Sequence, residues 1–160
     1  MAGMEEAMLL LGSDRGDPVA LCARAEGLIA ERVGTVVARS RDHWTEPWGF
    51  TDPELFLNRA LVVATELPPA ALMARLLAIE TLLGRVRAAG EGPAPRTIDI
   101  DILWMGHRVV QGGIATLPHP RLHQRAFALG PAADLAPDWR HPLLGRTVLE
   151  MLDDLRNTPG

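Results

Sequence analysis

The stretch Arg96-Thr97-Ile98-Asp99-Ile100-Asp101-Ile102-Leu103 constrains the fold of this chain more than any other. Its isoleucines alternate with other residues at period two, which predicts a β-strand with Ile98, Ile100 and Ile102 facing a core. Asp99 and Asp101 then share the opposite face, about 6.5–7 Å apart along the strand. At an effective dielectric near 20, two carboxylates at that spacing repel by roughly 2–3 kcal/mol. A strand selected only to fold would carry Thr or Val at one of those places. A divalent cation, or a pair of them, converts the repulsion into binding energy. The alternative is a solvated strand face with two surface acids.

The rest of the chain supplies partners for that strand. Residues 7–12 read as a buried first strand that ends in a Gly-, Asp- and Pro-rich turn. Asp17 can N-cap a helix with Pro18 in its first position. Leu21, Ala25, Leu28 and Ile29 give that helix an apolar stripe to about Val33. Residues 34–39 read as a second strand, 42–54 as a loop rich in aromatics, prolines and acids, and 55–65 as a third strand. Pro68 and Pro69 open a second helix with Leu72, Leu76, Ile79 and Leu83 on one stripe, ending near Gly84. Residues 88–95 have loop composition. The Asp-bearing strand then runs to about Met105, with a short strand expected over 107–110 and a last helix over about 147–155.

This order is β-α-β-β-α-β. It predicts an α+β fold with a ferredoxin-like βαββαβ core, an antiparallel sheet with both helices on one face, and a C-terminal extension. The expected organisation is a single domain over residues 1–160. Asp99 and Asp101 avoid the helix-covered face, so they point to the other one. The C-terminal segment is expected to pack beside that face and wall a cleft.

Composition excludes several function classes. The net charge is −4, which argues against nucleic-acid binding, where a basic face is needed. The one cysteine, Cys22, rules out a disulfide framework within the chain and fits a reducing cytoplasm as a small core residue. No apolar run reaches the roughly 18 residues of a membrane helix, and no signal-peptide pattern opens the chain. All 16 basic residues are Arg, and Tyr is absent. Without Lys there is no Walker A loop and no Schiff-base amine. Phosphate must be handled by Arg, metal and backbone amides.

Three arginines, Arg85, Arg87 and Arg96, bracket the 88–95 loop beside the two aspartates. Arginines with a carboxylate-held metal suit a transferring phosphoryl group, although Arg after a helix also favours the macrodipole. Glu80, between apolar helix positions, reads as a structural partner. Asn58 stands in a strand two residues from Phe56. There an amide can read the edge of a heterocycle and a ring can stack on it, or the Asn can simply mark a strand end. Pro118-His119-Pro120 with Arg125 and Phe127 forms a second cluster, suited to phosphates and a flat ring.

Taken together these residues resemble the 6-hydroxymethyl-7,8-dihydropterin pyrophosphokinases of folate biosynthesis, over nearly the whole chain. The resemblance is carried by Leu11-Gly12-Ser13, Thr45-Glu46-Pro47-Trp48-Gly49-Phe50, Phe56-Leu57-Asn58 and Glu80 with Gly84-Arg85-Val86-Arg87. It continues through Pro95-Arg96-Thr97-Ile98-Asp99-Ile100-Asp101-Ile102, Pro118-His119, Arg125, Phe127 and Pro131. It implies transfer of a diphosphoryl group from ATP to the pterin hydroxymethyl by attack on the β-phosphorus, releasing AMP. It implies that Asp99 and Asp101 hold two Mg2+ ions that clamp the triphosphate. Arg85 and Arg96 would stabilise the transferring charge, and Arg87, Ile102, His119 and Arg125 would bind ATP. Thr45, Pro47, Trp48, Phe56, Asn58 and Phe127 would line the pterin pocket. A cytoplasmic monomer is the family expectation, with no nucleic acid or membrane partner.

The chain departs from the family pattern at Asp14, where Asn is usual, and at His43 and Phe56, where Tyr is common. Residues 88–94 lack the Arg and Trp that close over substrates in many members, which predicts weaker closure and slower turnover. Two other readings stand beside the enzyme: a non-catalytic ferredoxin-like ligand-binding module, and a different Mg- and ATP-dependent transferase on the same fold.

Overall fold

The computed structural model describes residues 3–14, 16–45, 56–84 and 98–157. In chain order the described elements are β1 (Glu5–Ser13), α1 (Pro18–Arg32), β2 (Thr35–Arg39), β3 (His43–Thr45), β4 (Phe56–Thr65), α2 (Pro69–Gly84), β5 (Asp99–Met105), α3 (Ala126–Leu135) and α4 (Val148–Asn157). The sheet runs β2-β4-β1-β5, every pairing is antiparallel, and β3 pairs with β4 off that path. The two central strands are the first and third of the expected four, as the ferredoxin-like reading requires. Asp17 accepts the Ala20 N–H at 3.2 Å and Pro18 occupies the first turn of α1, as the local sequence predicts.

Period two divides the strands, apart from a bulge in β5 and an irregularity in β2. Leu9 and Leu11 of β1, Leu57, Leu61 and Val63 of β4, and Ile100 and Ile102 of β5 pack against α1 and α2. Cys22, Ala25 and Ile29 answer from α1, and Leu72, Leu76, Ile79 and Leu83 answer from α2. Asp99 and Asp101 are on the other face, half-buried.

That other face is not simply open. Met8, Leu10, Ala60, Leu103 and Trp104 form a second core with Leu129 and Ala132 of α3 and Met151 and Leu152 of α4. A β-bulge makes this possible. Leu9 pairs with Ile102 but Met8 pairs with Trp104, so Leu103 is an extra residue on β5. The bulge turns two consecutive side chains, Leu103 and Trp104, toward the same core. Trp139 then stacks on Trp104 with ring centroids 3.9 Å apart, and its indole N–H donates to the Gly106 carbonyl at 2.9 Å.

Two expectations are corrected. Residues 43–45, read as loop, form β3, because a strand edge of β4 is available to pair with them. The strand expected over 107–110 reduces to one bridge, Val110 with Leu117, since the intervening Gly112 and Gly113 turn the chain with positive φ.

Candidate active site

Strand register brings the polar residues into one row. Gly12 of β1 is opposite Asn58 of β4 on one side and Asp99 of β5 on the other. Leu10, two residues back, is opposite Ala60 and Asp101. The apolar core of α3 and α4 therefore begins at Leu10 and Ala60, and the polar end of the face begins one row further on. Asp101 stands at that boundary.

Gly12 lets the Phe56 ring lie close against β1. A β-carbon there would lie 2.7 Å from Cε1 of Phe56 and 3.5 Å from Oδ1 of Asn58, so the ring rests on bare backbone. Asn58 is 1% exposed. Its Nδ2 donates to the Thr45 hydroxyl at 3.1 Å, but its Oδ1 has no donor among the described residues. A buried acceptor left unpaired costs about 1–3 kcal/mol, which a ligand N–H would recover.

The edge strand β5 is fixed at two points. Glu80 of α2 accepts the Ile100 N–H at 2.6 Å, which gives Glu80 the structural role its position suggested, with a backbone amide as partner. Further along, the His119 N–H donates to the Leu103 carbonyl at 2.8 Å. That contact docks residues 119–125 against β5 and delivers Arg125, which precedes α3, to within 3.9 Å of the Asp101 carboxylate. The Arg125 guanidinium also lies 5.5 Å from the Phe127 ring centroid. Phe127 is 40% exposed, a large ring left without a core. Burial pushes the His119 imidazole below its usual value, Asp101 opposes that shift, and Arg125 and Arg121 reinforce it.

This arrangement is a row with a buried amide at one end and the Asp99 carboxylate at the other, with Asp101, Arg125 and His119 one row back. A family model described as 7,8-dihydro-6-hydroxymethylpterin-pyrophosphokinase (HPPK) matches residues 8–137. The chain belongs to the HPPK family. A protein of Methylorubrum extorquens named 2-amino-4-hydroxy-6-hydroxymethyldihydropteridine pyrophosphokinase is 45% identical over 153 residues, covering 95% of this chain and 94% of the relative. One of the same name from Porphyromonas gingivalis is 42% identical over 138 residues, covering 84% and 92%. A solved HPPK-DHPS in complex with substrates matches with a TM-score of 0.76 at 14% identity, and supports the fold. The chain covers 95% of itself but only 43% of that longer protein. A Plasmodium falciparum HPPK-DHPS gives the same TM-score at 16% identity, with 94% and 44% covered.

Of the residues expected at the HPPK site, the structure groups Thr45, Phe56 and Asn58 around Gly12, and Asp101, His119, Arg125 and Phe127 beside one another. Asp99 shares the row of Asn58. The Ile102 side chain is buried against α1 and α2, so a nucleotide contact at Ile102 would come from its backbone. Pro47, Trp48, Arg85, Arg87 and Arg96 lie outside the described residues, as does the altered 88–94 loop.

Sequence reasoning missed a second set of charges. Arg59, on the helix-covered face of β4, donates to Asp42 at 2.7 Å and to Glu26 of α1 at 3.3 Å. Arg39 of β2 makes a bidentate contact with the same Glu26. The available signal was an Arg inside the apolar run Leu57-Asn58-Arg59-Ala60-Leu61, which demands a partner once buried. Arg41 and His43 likewise converge on Asp134 of α3, and nothing local predicts that pair.

Proposed function

We propose that the chain transfers a diphosphoryl group from ATP to 6-hydroxymethyl-7,8-dihydropterin in folate biosynthesis. The observation that carries this reading is the row Asn58–Gly12–Asp99. It separates an unpaired amide oxygen from a carboxylate by two strand spacings, about 10 Å. A flat bicyclic ring with a short hydroxymethyl arm spans such a row, with its ring N–H on Asn58 and its hydroxyl toward the aspartates.

In this reading the pterin hydroxyl oxygen forms a bond to the β-phosphorus as the bond from that phosphorus to the α,β-bridging oxygen breaks. AMP leaves with the bridging oxygen, and the hydroxyl proton goes to solvent. Thr45 fixes the Asn58 amide, and Phe56 and Phe127 offer rings for stacking, joined by Pro47 and Trp48 in the pocket. Arg125 and His119 bind ATP phosphates, with Arg87 and the Ile102 backbone. Arg85 and Arg96 stabilise charge on the transferring group.

Asp99 and Asp101 would hold two Mg2+ ions. Among the described residues no group of three or more His, Cys, Asp or Glu forms a closed metal cage. Two half-buried carboxylates suit magnesium, which is commonly held by one or two carboxylates and substrate phosphates. Bound there, the metal would neutralise triphosphate charge and hold the phosphates in line. The protein's own contribution is positioning: Glu80 and His119 fix β5, and Gly12 seats Phe56 beside Asn58.

We read residues 1–160 as one domain acting as a cytoplasmic monomer. No helix among the described residues is long and apolar enough to cross a membrane, and the net charge of −4 does not favour nucleic acid.

The test is AMP formation from Mg-ATP with and without the pterin, beside Asp99→Ala. Pterin-dependent AMP that falls by about a thousandfold in the variant is expected, equivalent to about 4 kcal/mol of transition-state stabilisation. ATP turnover indifferent to pterin would point to a different acceptor and overturn the reading.

A further inference from the structure

The strand β3 is only three residues long, yet it carries Thr45, whose hydroxyl accepts from Asn58. So short a strand has a ladder of only three residue pairs with β4, and what grips residues 41–43 adds to its hold. One grip is Asp42, which takes the Arg59 Nε–H at 2.7 Å. The other comes from α3. Asp134 Oδ2 accepts the Arg41 backbone N–H at 3.1 Å and lies 2.8 Å from His43 Nε2. Its Oδ1 accepts from Arg41 Nη2 at 3.0 Å.

These contacts are unequal. The Arg41 side chain is 82% exposed, so its ion pair contributes little. The backbone amide and the His43 ring are the contacts that define position. Desolvation raises the Asp134 carboxyl, but hydrogen bonds from Arg41 and His43 outweigh it and bring it down to about 2. Here α3 lies close to β3: a β-carbon at Gly130 would touch the His43 ring, 3.4 Å from Nδ1. His43 in turn is opposite Asn58, and Thr45 is opposite Phe56. A shift of His43 therefore moves Thr45 and frees the Asn58 amide to turn.

We propose that Asp134 is a positioning residue for pterin recognition: through His43 and the Arg41 amide it pins β3, so that Thr45 holds Asn58 with its oxygen free for the ligand. Asp134 itself touches no substrate. The inference rests on the pterin site proposed above, and it predicts an effect confined to one substrate.

The test is Asp134→Asn, which keeps the shape and removes the charge and one acceptor. The pterin KM and the calorimetric pterin Kd should rise about tenfold, with kcat and the ATP Kd within about twofold of wild type. The double variant Asp134→Asn/His43→Gln should show no more than the larger single effect, because both break the same link. An unchanged pterin Kd, additive single effects, or a parallel loss of ATP and pterin binding with a lowered Tm would each overturn the proposal. Wild-type protein assayed alongside separates the two claims. If it forms no pterin-dependent AMP, the functional reading fails; if it does, the clamp stands or falls on the Asp134→Asn result.

Discussion

The two ends of one sheet face are built from the same three strands and do opposite things. At one end Met8 and Leu10 of β1, Ala60 of β4 and Trp104 of β5 are buried under α3 and α4. At the other, Gly12, Asn58 and Asp99 continue the same strands with a bare backbone, an amide and a carboxylate. The pairing pattern separates them only by the β5 bulge at Leu103, which lies at the covered end. What differs is the side chain at every second position, and with it whether a helix gains by covering the row. Apolar side chains recruit a lid worth about 25 cal/mol per Å² of surface removed from water. A carboxylate pair repels one. The boundary falls at Leu10 and Asp101, where Arg125 approaches the second carboxylate from the base of α3.

This division predicts that the two ends respond to mutation in different currencies. The largest effect belongs to the covered end. Trp104→Ala removes a 5%-exposed indole and its stack with Trp139, and should cost about 3–5 kcal/mol in denaturant unfolding. The pterin KM of the protein that remains folded should be unchanged. A loss below about 1 kcal/mol would mean that the α3–α4 core does not depend on that stack.

A smaller effect is expected at the polar end. Gly12→Ala inserts a methyl against Phe56 and Asn58, an overpacking cost of about 1–3 kcal/mol if the ring cannot move. The expected signature is a raised pterin KM with ATP binding retained, read by titrating each substrate separately. If both affinities hold, Phe56 has swung aside and the row is more plastic than its packing suggests.

The smallest effect is one of pH, and it touches both ends. Burial lowers the pKa of His119, beside the site, and of His141, packed edge-on to Trp139. The unfolded chain takes up these protons first, near the ordinary imidazole value of about 6.5. The stabilisation is therefore complete above that pH and is lost as pH falls through the lower folded values. Tm should drop between about pH 7.5 and about 5.5, and drop less in His141→Gln. An equal drop in the variant would assign the acid sensitivity elsewhere.

The alternating Ile98-Asp99-Ile100-Asp101-Ile102 run fixed its own geometry, because period two is a property of the strand backbone and the isoleucines had only one face to bury. The cap at Asp17 and the stripe of α2 were legible for the same reason: each rests on contacts between near neighbours in the chain. Residues 43–45 were not, since three residues carry no period and their strand exists only because β4 offers an edge. The bulge at Leu103 was equally hidden, as an apolar run reads alike whether its side chains alternate or not.

The site divides along that line. The sequence by itself determined the chemistry: paired carboxylates on a strand, arginines in place of lysines, an amide and aromatic rings spaced to meet a flat ligand. The tertiary structure decided which of these meet. Asn58 and Asp99 share a row because both are in register with Gly12. Arg125 reaches Asp101 because His119 docks on the Leu103 carbonyl. Asp134 grips His43 across 91 residues of chain. Contacts of that separation depend on how helices settle on a sheet, and no local pattern encodes that, because each partner is satisfied only when the other arrives.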